Sequence, residues 1–346
     1  MKMKRVSSLP ATLIAAVLVI TSAGPAGATF PGKNGRIAFA GATDIFTMNP
    51  DGSDVQQLTS FGPNGFAYAQ SWSADGRQLV FAATASPSTA PVQLWIMNAD
   101  GSGQHQLLND PSFADTFPGF SPDGTTIVFE RCHPNMGCTL YRVQADGSGL
   151  SALTNFGENT DLFDVTAEYS PDGQTIAFAG FNRGGVLSAI YLMNADGSDI
   201  RRITPPELEA FLPDWSPDGK KIAFSTRSQY PPNTINQETW VVNTDGRELK
   251  QVTFPGALHD FFPSWSPDGT FIAFERDAAD FSSSGIFVIQ ADGSDPSQKL
   301  MMPTPWRRAL NSIQPHARMT AKSAAHQHLR LIENGGFDPR WGPAPN

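Results

Sequence analysis

The chain has 346 residues, of which 16% are charged, and its formal net charge is −9 at pH 7. This acidic balance argues against nucleic acid as a partner, because affinity for nucleic acid rests on Lys and Arg side chains that neutralise phosphates. Beyond the first residues no apolar run resembles a membrane helix, so stable membrane insertion is not expected.

Residues 1–28 have the composition of an export signal. Three cations within the first five residues precede a short apolar stretch over residues 11–20, and Ala26-Gly-Ala28 fits a small-x-small cleavage site. Cleavage there would start the mature chain at Thr29 and change the net charge to −12. We expect an exported protein, periplasmic or extracellular, and the alternative is an uncleaved anchor.

The rest of the chain is dominated by a repeated phrase, an aromatic residue followed by Ser-Pro-Asp-Gly or, once, by Ser-Ala-Asp-Gly. Each copy leads into a short apolar strand such as Ile222-Ala-Phe224. A second turn that ends in Asp-Gly runs in step with the first. Two turn motifs that share one period of about 48 residues are typical of a repeat architecture. The five copies of the first phrase begin at Trp72, Phe120, Tyr169, Trp215 and Trp265.

Each repeat holds four short strands joined by tight turns. In one repeat the aromatic Tyr169 lies on the first strand and Ile176-Ala-Phe178 on the second. Ile190-Tyr-Leu-Met-Asn194 forms the third strand and Arg202-Ile-Thr204 the fourth. Asp-Gly between two apolar runs indicates a hairpin, because Gly accepts the positive φ that a tight turn needs. Four antiparallel strands repeated around an axis form the blades of a β-propeller, so we predict an all-β propeller fold.

The second turn occurs six times, which predicts six blades, and the first blade is expected to draw on both ends of the chain. The first repeat opens at its second strand, Gly35-Arg-Ile-Ala-Phe39, and its missing first strand reappears at Asp338-Pro-Arg-Trp341-Gly. We therefore predict one six-bladed propeller over residues 29–346, closed by the C-terminal strand, which removes free strand edges. The aromatic residues are expected to pack between blades rather than to stack on sugars or bases.

Cys132 and Cys138 are the only cysteines, and both lie between the second and third strands of one blade. In an oxidising compartment we expect them to form a local disulfide, with two free thiols or half a metal site as the alternatives. A fourth ligand is not evident, so no metal site is predicted here.

A segment near the C-terminus interrupts the repeat. After Trp265, the period of the repeat places the next inner-strand aromatic residue near residue 313, but its equivalent is Trp341. This indicates an irregular insertion at about residues 303–329. The insertion is predicted to be a marginal helix or a loop. The outer strand of the last blade is then either 297–301 or 328–332.

The candidate binding site is the mouth of the central channel, on the face where each fourth strand leads into the next blade. Connections on this face vary between blades, and variable loops on a rigid scaffold are where function tends to be placed. An acid recurs near the start of three inner strands, and Glu-Arg recurs at the ends of two second strands. We predict that this mouth binds a cation or a peptide; alternatively, the acids cap loop amides and pair with the arginines. The candidate residues are Asp115, Asp164, Asp260, His259, Glu130, Arg131, Glu275 and Arg276.

Catalytic signatures are scarce. The sequence has no Gly-x-Ser-x-Gly, no His-Glu-x-x-His and no phosphate-binding loop, so no catalytic residue is predicted. His259 is the one histidine in a candidate channel loop, which does not support a multi-histidine metal site. No cofactor is expected, and the one ion that the acids suggest is calcium at the channel mouth.

Three neighbouring segments resemble the TolB-type, WD-like β-propeller repeat: Trp215-Ser-Pro-Asp-Gly-Lys-Lys-Ile-Ala-Phe224, Trp240-Val-Val-Asn-Thr-Asp-Gly246 and Val252-Thr253. The resemblance extends from Gly35 to Val288 and includes the closing Trp341. It implies six blades, export, and a protein-binding role in the cell envelope in which the channel mouth receives partner peptides. Only the predicted signal precedes the propeller, so the α/β domain of TolB is expected to be absent.

These observations predict an exported monomer that binds a protein or peptide ligand in the cell envelope and is not an enzyme. The alternative is a propeller enzyme that acts on sugars or lactones at the channel mouth. An enzyme would need a convergent cluster of His, Glu or Asp, whereas a binding protein needs only a shaped, polar mouth.

Overall fold

A computed structural model describes residues 30–294 and 339–345, apart from short gaps at 42, 63–64, 86–89, 135–136, 155–161, 183–187, 227–236, 254–257 and 279–283. The predicted export signal and the predicted insertion at about 303–329 both lie outside the described residues. Within the described part, no helix is long and apolar enough to cross a membrane.

The described residues form 23 strands in six antiparallel sheets. From the channel outward, the first blade contains β23 (Arg340–Pro343), β1 (Asn34–Gly41), β2 (Asp44–Met48) and β3 (Gln56–Gln57). The second contains β4 (Phe66–Trp72), β5 (Gln78–Thr84), β6 (Gln93–Asn98) and β7 (His105–Gln106). The third contains β8 (Ala114–Phe120), β9 (Thr126–His133), β10 (Gly137–Gln144) and β11 (Ser151–Ala152).

The other three blades continue the same order from the channel outward. The fourth contains β12 (Leu162–Tyr169), β13 (Thr175–Asn182), β14 (Ser188–Asn194) and β15 (Arg201–Arg202). The fifth contains β16 (Phe211–Trp215), β17 (Lys221–Ser225), β18 (Thr239–Asn243) and β19 (Lys250–Gln251). The sixth contains β20 (Leu258–Trp265), β21 (Phe271–Ala278) and β22 (Ser284–Gln290). Both segments predicted for its outer strand, 297–301 and 328–332, lie outside the described residues.

The six-bladed propeller and its mode of closure are confirmed. Strand β23 pairs antiparallel with β1, so that Trp341 lies opposite Ile37 and Arg340 lies opposite Ala38. The approach is close, because a Cβ on Gly35 would lie only 2.4 Å from the carbonyl oxygen of Pro343. A larger residue at this position would push the closing strand away from its partner.

The Ser-Pro-Asp-Gly turns are self-contained hydrogen-bonded units. In the fifth blade the Ser216 hydroxyl donates to the Asp218 carboxylate at 2.7 Å and accepts from the amide of Lys221 at 2.9 Å. The same Asp218 oxygen accepts from the amide of Lys220. This satisfies the polar groups that a tight turn leaves unpaired, which is the reason for Ser and Asp at fixed positions. Its four counterparts, at Ser73, Ser121, Ser170 and Ser266, repeat the Ser–Asp bond.

A threonine that follows the outer strand in most blades has a structural role. The Thr204 hydroxyl accepts a hydrogen bond of 2.8 Å from the amide of Ile190 on the neighbouring third strand. It thereby continues the ladder beyond the two paired residues of β15. Equivalent bonds join Ile45 to Thr59, Leu140 to Thr154 and Thr239 to Thr253.

The inner-strand aromatic residues are buried between blades, as the sequence predicted. The indole of Trp215 donates to the Glu168 carbonyl of the preceding blade at 3.1 Å, and the indole of Trp72 donates to the Arg340 carbonyl at 3.2 Å. Each bond crosses from one blade to the next. These side chains therefore hold the ring together and are not available as a stacking surface.

Candidate functional site

Five of the six inner strands contain a bulge just before the aromatic residue. At the start of the bulge a non-glycine residue has positive φ, for example Thr166 at 49° and Leu212 at 54°. The pairing with the second strand shifts register at the same place, between Val165 and Glu168 in the fourth blade. A bulge re-aims the side chains that follow it. Positive φ recurs at Ala69, Phe117 and Phe262, so five inner strands share this feature.

Two residues that follow these bulges, Glu168 and Asp214, meet Arg340 of the closing strand across the channel. Arg340 of the first blade donates to the Glu168 carboxylate of the fourth blade at 2.8 Å and lies 3.5 Å from the Asp214 carboxylate of the fifth. The first and fourth blades face each other across a six-bladed ring, so this ion pair crosses the channel. We call Arg340, Glu168 and Asp214 the channel triad.

The channel triad spans the channel axis. The cavity beside it is about one water molecule in size. Ser71, Ser264, Trp72 and Trp341 line it together with the triad. Sequence reasoning missed this group, because the three residues lie far apart in the chain. The available signal was their common position, since each immediately precedes the aromatic residue of an inner strand.

The predicted channel-mouth acid Asp115 is fully buried and paired with Arg131. Its carboxylate accepts two hydrogen bonds of 2.7 Å from the guanidinium, in the fork geometry that Arg favours. Asp115 on β8 lies directly opposite Arg131 on β9. The guanidinium carbon also lies 5.0 Å from the ring centre of Phe113 and 5.3 Å from that of Tyr141. Burial raises the pKa of the Asp115 carboxyl, although the hydrogen bonds from Arg131 act in the opposite direction.

The sixth blade repeats this arrangement. Asp260 accepts hydrogen bonds of 2.6 and 2.7 Å from Arg276, and the guanidinium carbon lies 5.1 Å from the ring centres of Phe274 and Phe287. Burial raises the pKa of Asp260, against the effect of Arg276. Each acid is thus neutralised within its own blade, as in the alternative interpretation that the sequence left open.

Asp164 differs from the other two acids. The residue opposite it on β13 is Gly180, so no arginine occupies the position of Arg131 or Arg276. Its Oδ1 atom is buried and has no hydrogen-bond partner among the described residues. Burial raises the pKa of Asp164 to about 6, and a hydrogen bond from Thr154 opposes the shift. Asp164 is therefore the titratable acid of this set.

Glu130, Glu275 and His259 are buried as well. Glu130 and Glu275 follow the buried phenylalanine of their second strands, and Leu140 and Ile286 lie opposite them on the third strands. The His259 ring lies against Phe261, with 6.1 Å between the ring centres. None of the three is an exposed mouth residue.

The cysteines lie directly opposite each other on β9 and β10, and a disulfide joins Cys132 to Cys138. Oxygen Oε1 of Glu130 lies 3.0 Å from the Cys132 sulfur. The carboxylate and the two sulfurs lie within 4.8 Å of one another. Because the disulfide engages both sulfurs, this oxidised cluster does not offer thiolate ligands to a metal.

The repeated blades and the ring closed by β23 define a six-bladed β-propeller. Sequence comparison identifies the propeller family that it resembles. The model of the TolB beta propeller domain matches residues 158–304. The TolB homolog of Chlorobium chlorochromatii is 29% identical over 150 residues, which is 43% of this chain and 31% of the relative. The uncharacterized protein Atu1656 of Agrobacterium fabrum is 27% identical over 197 residues, 53% of this chain and 62% of the relative. The matches thus span less than two thirds of either relative. The chain thus contains a TolB-type β-propeller domain match over residues 158–304, within a six-bladed β-propeller.

Solved structures support the same fold. TolB from Acinetobacter baumannii superimposes with a TM-score of 0.63 at 18% identity, over 90% of this chain and 67% of that one. A putative TolB from Agrobacterium tumefaciens gives 0.60 at 20% identity, over 78% and 88% of the two chains. An oligogalacturonate lyase in complex with manganese gives 0.52 at 15% identity, over 80% and 76%. At these identities the likeness concerns the fold alone.

Proposed function

We propose that this chain is an exported, non-enzymatic propeller that binds a protein or peptide segment of the cell envelope, as a periplasmic or extracellular monomer. The TolB-type repeat and the predicted signal at residues 1–28 support export and an envelope role. The observation that carries the proposal is the ion pair that spans the channel between Arg340 and Glu168. We infer that this ion pair prevents a peptide from passing through, so that a ligand would enter a blind recess from the mouth face only.

The depth of this recess follows from the inner strands. Asp164 lies near the start of β12 and Glu168 lies four residues further along, where the channel is closed. At about 3.3 Å per residue, four residues of strand give a depth of ~13 Å. That depth suits the end of an extended segment or one long side chain. It is consistent with recognition of a peptide terminus rather than of a threaded chain.

Charge at the recess points to Asp164. Asp115 and Asp260 are neutralised by arginines, so they contribute little net field. Asp164 has no such partner and is ionised above pH 6, which favours a cationic group in the ligand. The described acids do not fit calcium, since one carboxylate supplies too few of the six to eight oxygen ligands that Ca²⁺ takes. We therefore place no calcium in the proposal.

The enzyme alternative has support from the fold alone. Oligogalacturonate lyase shares the propeller at 15% identity, and its manganese belongs to that protein. In this chain the described residues at the mouth are two neutralised Asp–Arg pairs and one isolated acid. An acid–base reaction needs groups that converge on one reacting atom.

The test compares the two faces of the propeller. Ser112 is exposed just before β8 on the mouth face, and Thr125 is exposed in the turn between β8 and β9 on the opposite face. We would immobilise the mature chain and the Ser112→Arg and Thr125→Arg variants and capture envelope proteins and peptides on each. Both variants add one cation, so they differ only in the face.

We expect Ser112→Arg to weaken capture of the partner and Thr125→Arg to leave it unchanged. Equal capture by both variants, or loss with Thr125→Arg alone, would contradict the proposed mouth. Substituting all three acids by Asn is a poorer test, because it would remove the carboxylate charges that neutralise the buried Arg131 and Arg276.

A further inference from the structure

The disulfide has an unusual neighbour in Glu130. Cys132 and Cys138 join the ends of β9 and β10 next to the connection between these strands. Cys132 is half-buried, whereas Cys138 is 3% exposed. A reagent that approaches from solvent therefore reaches the sulfur of Cys132 first.

Oε1 of Glu130 lies in direct contact with the disulfide, 3.0 Å from the Cys132 sulfur and within hydrogen-bond distance for a sulfur atom. A sulfur in a disulfide carries no hydrogen and can only accept. A hydrogen bond across this contact is therefore one that the protonated carboxyl group of Glu130 donates.

The surroundings of Glu130 keep that proton in place. The side chain is flanked by Thr116 on β8 and Leu140 on β10, neither of which carries a charge. The amide of Thr166 on β12 donates to the carboxyl, and Oε2 has no partner among the described residues. Burial raises the pKa of Glu130 to about 8, close to the value of about 8.5 for a free thiol.

Nearby charges do not compensate Glu130. Arg131, the next residue on the strand, points to the opposite face of the blade, since neighbouring side chains alternate. Its guanidinium is held by Asp115 and lies 3.9 Å from Asp110. On β12, Asp164 and Glu168 lie two residues to either side of Thr166, and neither contributes to the shift of Glu130. A disulfide that serves only as a crosslink needs no acid at its sulfur.

We propose that Cys132 and Cys138 form a redox-active dithiol–disulfide centre in which Glu130 is the proton donor and acceptor. A thiolate of an external dithiol attacks the Cys132 sulfur, the bond between the two cysteines breaks, and its electron pair goes to Cys138. Glu130 gives its proton to the Cys138 thiolate, which lies within 4.8 Å. The second thiol of the external dithiol then attacks the mixed disulfide at the external sulfur. Cys132 leaves, takes up a proton, and Glu130 is reprotonated from solvent.

In total, the protein disulfide is reduced to two thiols and the external dithiol is oxidised to a disulfide. In the reverse direction the Glu130 carboxylate accepts the proton of the Cys138 thiol and generates the attacking thiolate. Burial raises the pKa of Glu130 toward that of a free thiol, which favours proton transfer in both directions and suits a reversible centre.

The experiment measures reduction of the mature protein by excess dithiothreitol between pH 6 and pH 10, with E130Q as the variant. Thiol alkylation followed by mass spectrometry quantifies the reduced cysteines with time. The matched control is E275Q, because Glu275 occupies the same position after the phenylalanine of β21 in a blade without cysteines. The reagent's own ionisation is common to all three proteins and cancels in the ratio of rates.

We expect E130Q to be reduced on the order of 10²-fold more slowly than the wild type at pH 6.5, with the difference shrinking above pH 9. E275Q should follow the wild-type profile. Equal rates for E130Q and wild type would overturn the role of Glu130. Reduction that occurs only after unfolding in denaturant would overturn the redox-active centre itself.

A second measurement needs no variant and guards against misfolding of E130Q. The infrared difference spectrum between oxidised and reduced wild-type protein should contain a change in the protonated-carboxyl band, because the hydrogen bond to the disulfide sulfur is lost on reduction. A spectrum without any change in that band would also overturn the proposal.

Discussion

Replacing Arg340 by Met tests whether the channel triad holds the ring closed. The side chain is 15% exposed, and its partners Glu168 and Asp214 are 8% and 4% exposed. Arg340→Met keeps an unbranched apolar stem but leaves two carboxylates buried without their cation. Removing one partner of a buried ion pair typically costs about 3–5 kcal/mol of unfolding free energy.

Two features place the expected cost near the lower end of this range. Asp214 keeps a hydrogen bond of 2.8 Å from the amide of Trp265. Arg340 is also partly reached by water, which screens the pair. We therefore expect a loss of about 3 kcal/mol, measured by urea unfolding followed through tryptophan fluorescence. Circular dichroism under native conditions would verify that the variant is folded.

The control is the triple variant Arg340→Met, Glu168→Gln and Asp214→Asn, in which no charge remains. It should recover most of the lost stability, because replacing a whole buried ionic group is often neutral. A single variant as stable as the wild type would refute the reasoning, since the triad would then contribute nothing. A triple variant as unstable as the single one would show that packing, not charge, dominates.

Three further predictions concern other parts of the molecule. Deleting residues 338–346 should open the first blade and lower the melting temperature, since losing the buried Trp341 alone costs about 3–5 kcal/mol; melting at the wild-type temperature would contradict closure. Reducing the disulfide should cost only about 2–3 kcal/mol, because it closes a loop with a sequence separation of 6. Free Cys132 and Cys138 thiols in non-reduced peptides of the purified protein, seen by mass spectrometry, would contradict the disulfide in solution. The raised pKa of Asp164 means that its contribution to stability is complete below the unfolded value near 3.8 and is lost as pH rises through 6. The stability of Asp164→Asn relative to the wild type should therefore be higher at pH 7.5 than at pH 4.5. The same difference in melting temperature between the two proteins at both pH values would contradict this.

The fold was predictable because its information is local and repeated. Each Ser-Pro-Asp-Gly turn carries the groups that satisfy its own backbone, so every copy in the sequence specifies the same turn. The closing strand could be found because the first repeat lacked an element that Asp338-Pro-Arg-Trp341 supplied. Both inferences needed only the order of residues within a repeat.

The candidate site was less predictable because burial and pairing are not local. Asp115 and Arg131 lie 16 residues apart in the sequence and directly opposite each other on neighbouring strands. The same is true of Asp260 and Arg276. That spacing allowed an ion pair but did not distinguish it from an open acidic rim. The channel triad depends on a bulge that turns Glu168 inward, and the sequence of β12 contains no glycine to mark it.

The closing strand also sets the timing of folding. Strand β23 is made after the other 22 described strands, yet it pairs with the first of them. During synthesis the earlier blades emerge in order, but the ring stays open until Trp341 has been added. The order of the strands along the chain acts as a delay on the final folding step.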